Sequence, residues 1–246
     1  MKFKCQKCGK CCTDLNPGIK LNYPIPGFAS DTVIALTQPN LMILPWEKHL
    51  FPQKVLTPHF VMFDRLNNLV IILNYALTTN SCPNLKAKQC SIYNKRLIHC
   101  QSYPCPYSCG DELDQYEGHF ASEFCPSELS TDDLKKFLDK DQVSPKTLQQ
   151  KLYKRYDNIF IYKLMWWCYY RLSQTTIQAS IKNKYLKPAK KGDNLTQLLA
   201  QIKTAKKIDI HDYIKEEFDI DITEVFDKKA FQQTREFLKK ECDGSD

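Results

Sequence analysis

Phe60-Val61-Met62-Phe63-Asp64-Arg65-Leu66-Asn67-Asn68-Leu69-Val70-Ile71-Ile72-Leu73 reads as the core of a β-hairpin spanning residues 60–75. Two runs rich in β-branched and aromatic residues flank Asn67-Asn68, a pair that can take the positive φ of a tight turn. The second run is almost continuously apolar, the pattern of a strand covered on both faces. On the N-terminal side, prolines at 24, 26, 39, 45, 52 and 58 leave room for no helix longer than a short one near Ser30 to Leu36. On the C-terminal side, residues 78–127 return to turns, prolines and cysteines, with too few periodic apolar positions for a conventional core. Something else must hold that stretch, and a bound metal supplies folding free energy directly.

After Pro126 helix formers dominate. Ser130-Thr131-Asp132-Asp133 and Ser144-Pro145 are helix starts, and Leu148, Leu152, Tyr156, Ile159, Tyr162 and Met165 recur on one helical face. Trp166-Trp167-Cys168-Tyr169-Tyr170 extends this as a core helix, Asp193-Asn194 opens another through Ile202, and residues 209–240 hold two more short helices. The expected fold class is α+β. A small cysteine-rich, metal-stabilised domain with a β-hairpin occupies residues 1–127, and a mostly helical region occupies residues 128–246.

The 246 residues suffice for one large domain or two small ones, at roughly 100–200 residues per domain. A 43% hydrophobic content implies a packed core, and only 7 glycines, with no GxGxxG or GxxxxGK[ST], argue against a phosphate-binding loop. The start of the chain lacks the apolar stretch of a secretory signal, and Ile159 to Tyr170 is too short to span a bilayer and contains Lys163. A cytoplasmic protein without membrane association is therefore expected. The net charge of +7 supports nucleic-acid binding only weakly, and the run Lys182, Lys184, Lys187, Lys190, Lys191 reads as a solvated face or loop.

Cysteine is the outlier. Of 12, ten fall between Cys5 and Cys12 or between Cys82 and Cys125. In a reducing compartment such density points to metal ligands or reactive thiols before disulfides. Cys5-x2-Cys8-Gly9-Lys10-Cys11-Cys12 lets Cys5 and Cys8 reach one metal from a tight knuckle, and Gly9 relieves the turn. Adjacent Cys11 and Cys12 point apart in extended backbone and are poorly placed to share one tetrahedral ion. The alternative for either member is a buried small hydrophobe. The second group is Cys82, Cys90, Cys100, Cys105, Cys109 and Cys125, stiffened by Pro83, Pro104, Pro106 and Pro126.

These motifs resemble the YkgJ-type cysteine-cluster family, the zinc- or iron-chelating CxxCxxCC domain. Phe3-x-Cys5-x2-Cys8-Gly9-x-Cys11-Cys12 looks like its signature. Cys82-Pro83-Asn84-Leu85, Cys90-Ser91-Ile92-Tyr93, Arg96 with Cys100-Gln101-Ser102-Tyr103-Pro104, and Cys125-Pro126 follow its order over about the first 127 residues. The chain departs from the family pattern at Leu97, Gln101 and Cys105. The resemblance implies eight metal ligands: Cys5, Cys8, Cys11, Cys12, Cys82, Cys90, Cys100 and Cys125, with Cys105 or Cys109 able to replace one. Flagellin lysine-N-methylases resemble the family more distantly.

Thiolates suit both zinc and iron–sulfur clusters. The paired Cys11-Cys12 and the surplus thiols fit zinc tetrahedra less economically, which favours iron–sulfur. His99 and His119 lie beside the cysteines, either as ligands or second-layer donors or, the plainer reading, as ordinary surface or loop residues. Tyr93, Arg96 and Tyr103 either donate hydrogen bonds to sulfur or simply pack. Cys168 and Cys242 stand isolated. No Ser-His-Asp arrangement or other catalytic signature is present, so whether the chain is an enzyme stays open. The expectation is a metal-binding protein with redox or protein-modifying, methylase-like activity, acting on a protein partner or substrate. The alternatives are a non-enzymatic zinc-stabilised interaction module and a metal-chelating or trafficking protein.

Overall fold

The computed structural model describes residues 12–13, 32–37, 41–102, 157–189, 193–227, 229–233 and 236. Its strands are β1 (Val33–Ala35), β2 (Met42–Ile43), β3 (Leu56–Pro58), β4 (Phe60–Asp64), β5 (Leu69–Ile72), β6 (Tyr75–Leu77), β7 (Leu85–Lys86), β8 (Gln89–Cys90) and β9 (Lys206–Asp209). Its α-helices are α1 (Ile98–Ser102), α2 (Asp157–Lys182), α3 (Leu195–Thr204), α4 (Ile210–Phe218) and α5 (Ile222–Val225). The fold class is α+β. The chain divides into two compact units: Met1–Thr13 with Asn84–Trp167 and Phe226–Asp246, and Asp14–Pro83 with Cys168–Val225. No helix among the described residues is long and apolar enough to cross a membrane.

The second unit is built on the hairpin. β4 and β5 pair antiparallel through Val61↔Ile72, Met62↔Ile71 and Phe63↔Val70, and Asn68 turns the chain with φ 47°. β1 adds antiparallel to β4 and β9 adds parallel to β5, giving the order β1-β4-β5-β9. Alternation then sorts the side chains. Ile34, Val61, Phe63, Val70 and Ile72 form one core with Leu198 and Ile202 of α3 and with Ala189 and Ala205. Val33, Met62 and Ile71, in the neighbouring register, are equally buried. Both faces are covered, as the apolar run of β5 predicts.

One expectation needs correction, and one strand was not anticipated. The short helix placed near Ser30 to Leu36 is instead strand β1 over Val33–Ala35. Val33 and Ile34 are β-branched, and pairing with Met62 and Val61 buries both completely. The helices expected over 209–240 are present as α4 and α5, but strand β9 precedes them. Lys206-Lys207-Ile208-Asp209 carries little strand character, and its lysines sit where an edge strand tolerates charge. The α3 start holds: Asn194 Oδ1 accepts from Gln197 N at 3.1 Å.

The strands also bridge two sheets. β2-β6-β3 forms a second small sheet, and His59 and Asn74 are the residues where the chain passes between sheets. His59 N donates to Asn74 O at 2.9 Å, and its ring meets Thr37 Oγ1 at 3.1 Å and stacks on Phe60. Asn74 accepts from Phe60 N at 2.9 Å and donates to Tyr170 Oη at 2.7 Å. Asp64, fully buried, closes the hairpin end: its carboxylate accepts from Leu66 N, Asn67 N, Asn67 Nδ2 and Lys187 N at 2.6–3.2 Å.

Candidate metal centre

In the first unit, local hydrogen bonds hold the described residues around Cys90, and buried residues precede Cys100. β7 and β8 form a two-residue-strand hairpin with Leu85↔Cys90 in register. Ala87 and Lys88 both take positive φ, 48° and 63°, a tight-turn geometry met here without glycine or asparagine. Past Cys90, Ser91 N and Oγ both donate to Asn84 O, at 2.8 and 3.0 Å. These bonds hold the residue after Cys90 against the start of the hairpin.

A short 3-10 turn (Tyr93–Lys95) leads to α1. Arg96 Cζ lies 4.0 Å from the centre of the Tyr93 ring, and Arg96 Nε donates to Tyr93 O at 3.0 Å. Tyr93 and Arg96 thus pack against each other. Leu97, Ile98 and His99 are buried at the start of α1, immediately before Cys100. His99 is thus no surface or loop histidine: its ring stands edge-on to Trp166, centroids 5.8 Å apart at 87°.

The four described ligand positions, Cys12, Cys82, Cys90 and Cys100, are each half-buried. Cys12, Cys90 and Cys100 belong to the first unit and Cys82 to the second. Cys5, Cys8, Cys11 and Cys125 lie outside the described residues, as do Cys105, Cys109, Tyr103, His119 and Cys242. Among the described residues no three His, Cys, Asp or Glu side chains come close enough together to hold a metal ion. The described donors have the soft chemistry that zinc or iron–sulfur requires. Cys168 sits half-buried on α2, and burial pushes its thiol above the ordinary range, which disfavours the thiolate that ligation needs.

Sequence reasoning missed a second polar cluster, in the second unit. Asp209 is buried at the end of β9 and is the N-cap of α4, yet its side chain makes no cap bond. Lys48 Nζ and Tyr75 Oη both donate to its carboxylate instead. Burial, and then the bond and charge of Asp209, push the Tyr75 phenol well above its usual range. Lys48 and Tyr75 occupy both carboxylate oxygens, so the cluster acts as a clamp between β6, β9 and the Pro45–Leu50 turn. Nearby, Tyr169 packs edge-on to Trp46 and donates to Leu73 O. The partners lie 134 and 161 residues from Asp209, so the sequence carried no signal for them.

Compared with known proteins, the chain matches no protein-family model, no curated protein and no solved structure.

Proposed function

We propose that the chain is a cytoplasmic metal-binding protein whose cysteines hold an iron–sulfur cluster or zinc. The observation that carries this reading is that Cys12, Cys90 and Cys100, far apart in sequence, belong to one compact unit. Motif spacing supplies the rest: Cys5, Cys8, Cys11, Cys82 and Cys125 complete the candidate set. The short, half-exposed strands of the β7–β8 hairpin support a role for metal in holding the cysteine-rich part together. The helical residues beyond 127 then serve a protein partner or substrate. Redox or protein-modifying chemistry, methylase-like by resemblance, is the activity this centre would support.

Metal analysis of anaerobically purified protein, with its visible absorption, tests the reading. Bound iron with sulfur-to-iron charge-transfer bands supports a cluster, and stoichiometric colourless zinc supports the structural module. Cys100→Ala and Cys90→Ala should each lose metal, whereas Cys168→Ala should keep it. Protein that carries no metal after anaerobic isolation and reconstitution would sink the proposal.

A further inference from the structure

The exposed large apolar side chains of the described residues are Leu66, Tyr185, Leu195, Ile220 and Val225. They fall in two places on the second unit, and the two places differ in charge.

The first is a set of cross-linked turns. Leu66, 59% exposed, stands on the β4–β5 turn, and Tyr185, 57% exposed, on the turn after α2. Asn67 Nδ2 donates to Tyr185 O at 3.1 Å, and Arg65 N donates to Lys187 O at 2.8 Å. Arg65 also pairs with Asp193 at 2.5 Å, which ties in the start of α3 and with it Leu195. The turns are therefore held in fixed relation, and Lys182, Lys184 and Lys187 stand exposed around the apolar pair. This absorbs the lysine run that the sequence alone reads as a solvated face or loop.

The second is the α4–α5 segment. Ile220 follows Asp219, which ends α4 in the left-handed conformation at φ 54°, and Val225 ends α5. Asp212, Glu216, Glu217, Asp219 and Glu224 are exposed there. Lys215 is engaged by Asp221 at 3.4 Å, so the segment presents a net negative surface with two apolar side chains.

We propose that these surfaces are the two halves of one interface, the basic turns of one copy of the chain receiving the acidic α4–α5 segment of another. Each has an apolar centre and a charged surround, and the charges are opposite. A membrane of anionic lipid or a nucleic acid would match the turns but be repelled by α4–α5, whereas a second copy matches both. The contact either pairs twice across a two-fold axis, giving a closed dimer, or runs head-to-tail into a ring or a chain, and the sedimentation series tells the two apart.

Sedimentation velocity of the full-length protein, reduced and metal-loaded, tests this over a range of concentrations. Self-association should rise with concentration and weaken in about 0.5 M salt, where the screening length falls to a few ångströms. Lys184→Glu with Lys187→Glu should weaken association about tenfold or more, as should Glu216→Lys with Glu217→Lys, both with unchanged melting curves. Mixing the two variants should restore association, because the intact acidic segment of the first meets the intact basic turns of the second and the two reversed halves are complementary as well. A wild type that stays monomeric at high micromolar concentration and low salt overturns the proposal. So do variants that assemble as well as wild type, or a mixture in which association is not restored. Binding of anionic vesicles or of single-stranded RNA by a monomeric wild type would assign the turns to those partners instead.

Discussion

The sheet β1-β4-β5-β9 and the hairpin β7–β8 are both antiparallel at heart, yet they are held by different means. In the first, cross-strand rows such as Val33↔Met62↔Ile71 are buried on one face and Ile34↔Val61↔Ile72 on the other, with α3 packed over the latter. In the second, each strand is two residues long, no strand residue is fully buried, and the turn takes positive φ at Ala87 and Lys88. Two-stranded hairpins of this size are marginal alone. One region carries its stability in apolar contact; the other needs an external tie. Metal ligation through Cys90 and Cys100 would supply it.

The largest test of this contrast is metal removal. Under a strong chelator, amides of Leu85 to Ser102 should lose hydrogen-exchange protection while those of Phe60 to Ile72 keep theirs. Equal loss in both regions, or none after verified removal, breaks the comparison. Within the sheet, Phe63→Ala should cost about 3–5 kcal/mol in denaturant unfolding, because it leaves a cavity in the core shared with Leu198. Asp64→Ala should cost roughly 2–3 kcal/mol, since four N–H groups lose a buried carboxylate. Asp64→Asn should recover part of that cost.

Acid should act next, and through the sheet crossover. Burial holds the His59 ring at a pKa of about 3, against an ordinary 6.5, with the Thr37 hydrogen bond opposing. The folded state therefore keeps His59 neutral while the unfolded chain takes up a proton below pH 6.5. The resulting stability is present above 6.5 and declines as pH falls toward 3, by up to about 1.4 kcal/mol per pH unit. Unfolding at pH 7 and pH 5 should show this slope, and His59→Gln should remove it. Asp221, held at about 2 chiefly by the Thr223 hydroxyl, loses its contribution only as pH falls from about 3.8 toward 2, below the pH 5–7 comparison. Smallest of all, Asn194→Ala should cost about 1 kcal/mol by uncapping α3.

Local patterns proved legible where they were strong and short-range. The apolar runs at Phe60 and Leu69, the Asn68 turn and the Asn194 cap each rest on a few neighbouring residues. β9 was not legible, since Lys206 and Lys207 gain strand geometry only from pairing with β5. Nor was β1, where three apolar residues after a proline-broken stretch fit a short helix as well as a strand. The His59–Thr37 and Asp209–Tyr75 contacts join residues whose types are commonplace and whose separation is long. The cysteines stand out by type and spacing, but spacing alone does not say which of Cys12, Cys82, Cys90 and Cys100 share a centre.

The parallel pairing of β5 with β9 also has a consequence for biosynthesis. β4, β5 and β1 emerge from the ribosome early, yet their edge strand and the α3 lid over Val61 and Phe63 follow more than a hundred residues later. Until then a long apolar hairpin is complete but uncovered, with an open edge able to recruit another nascent strand. Truncation before Leu195 should therefore yield aggregate in place of a smaller folded protein, and production should depend on chaperones that mask the hairpin during synthesis.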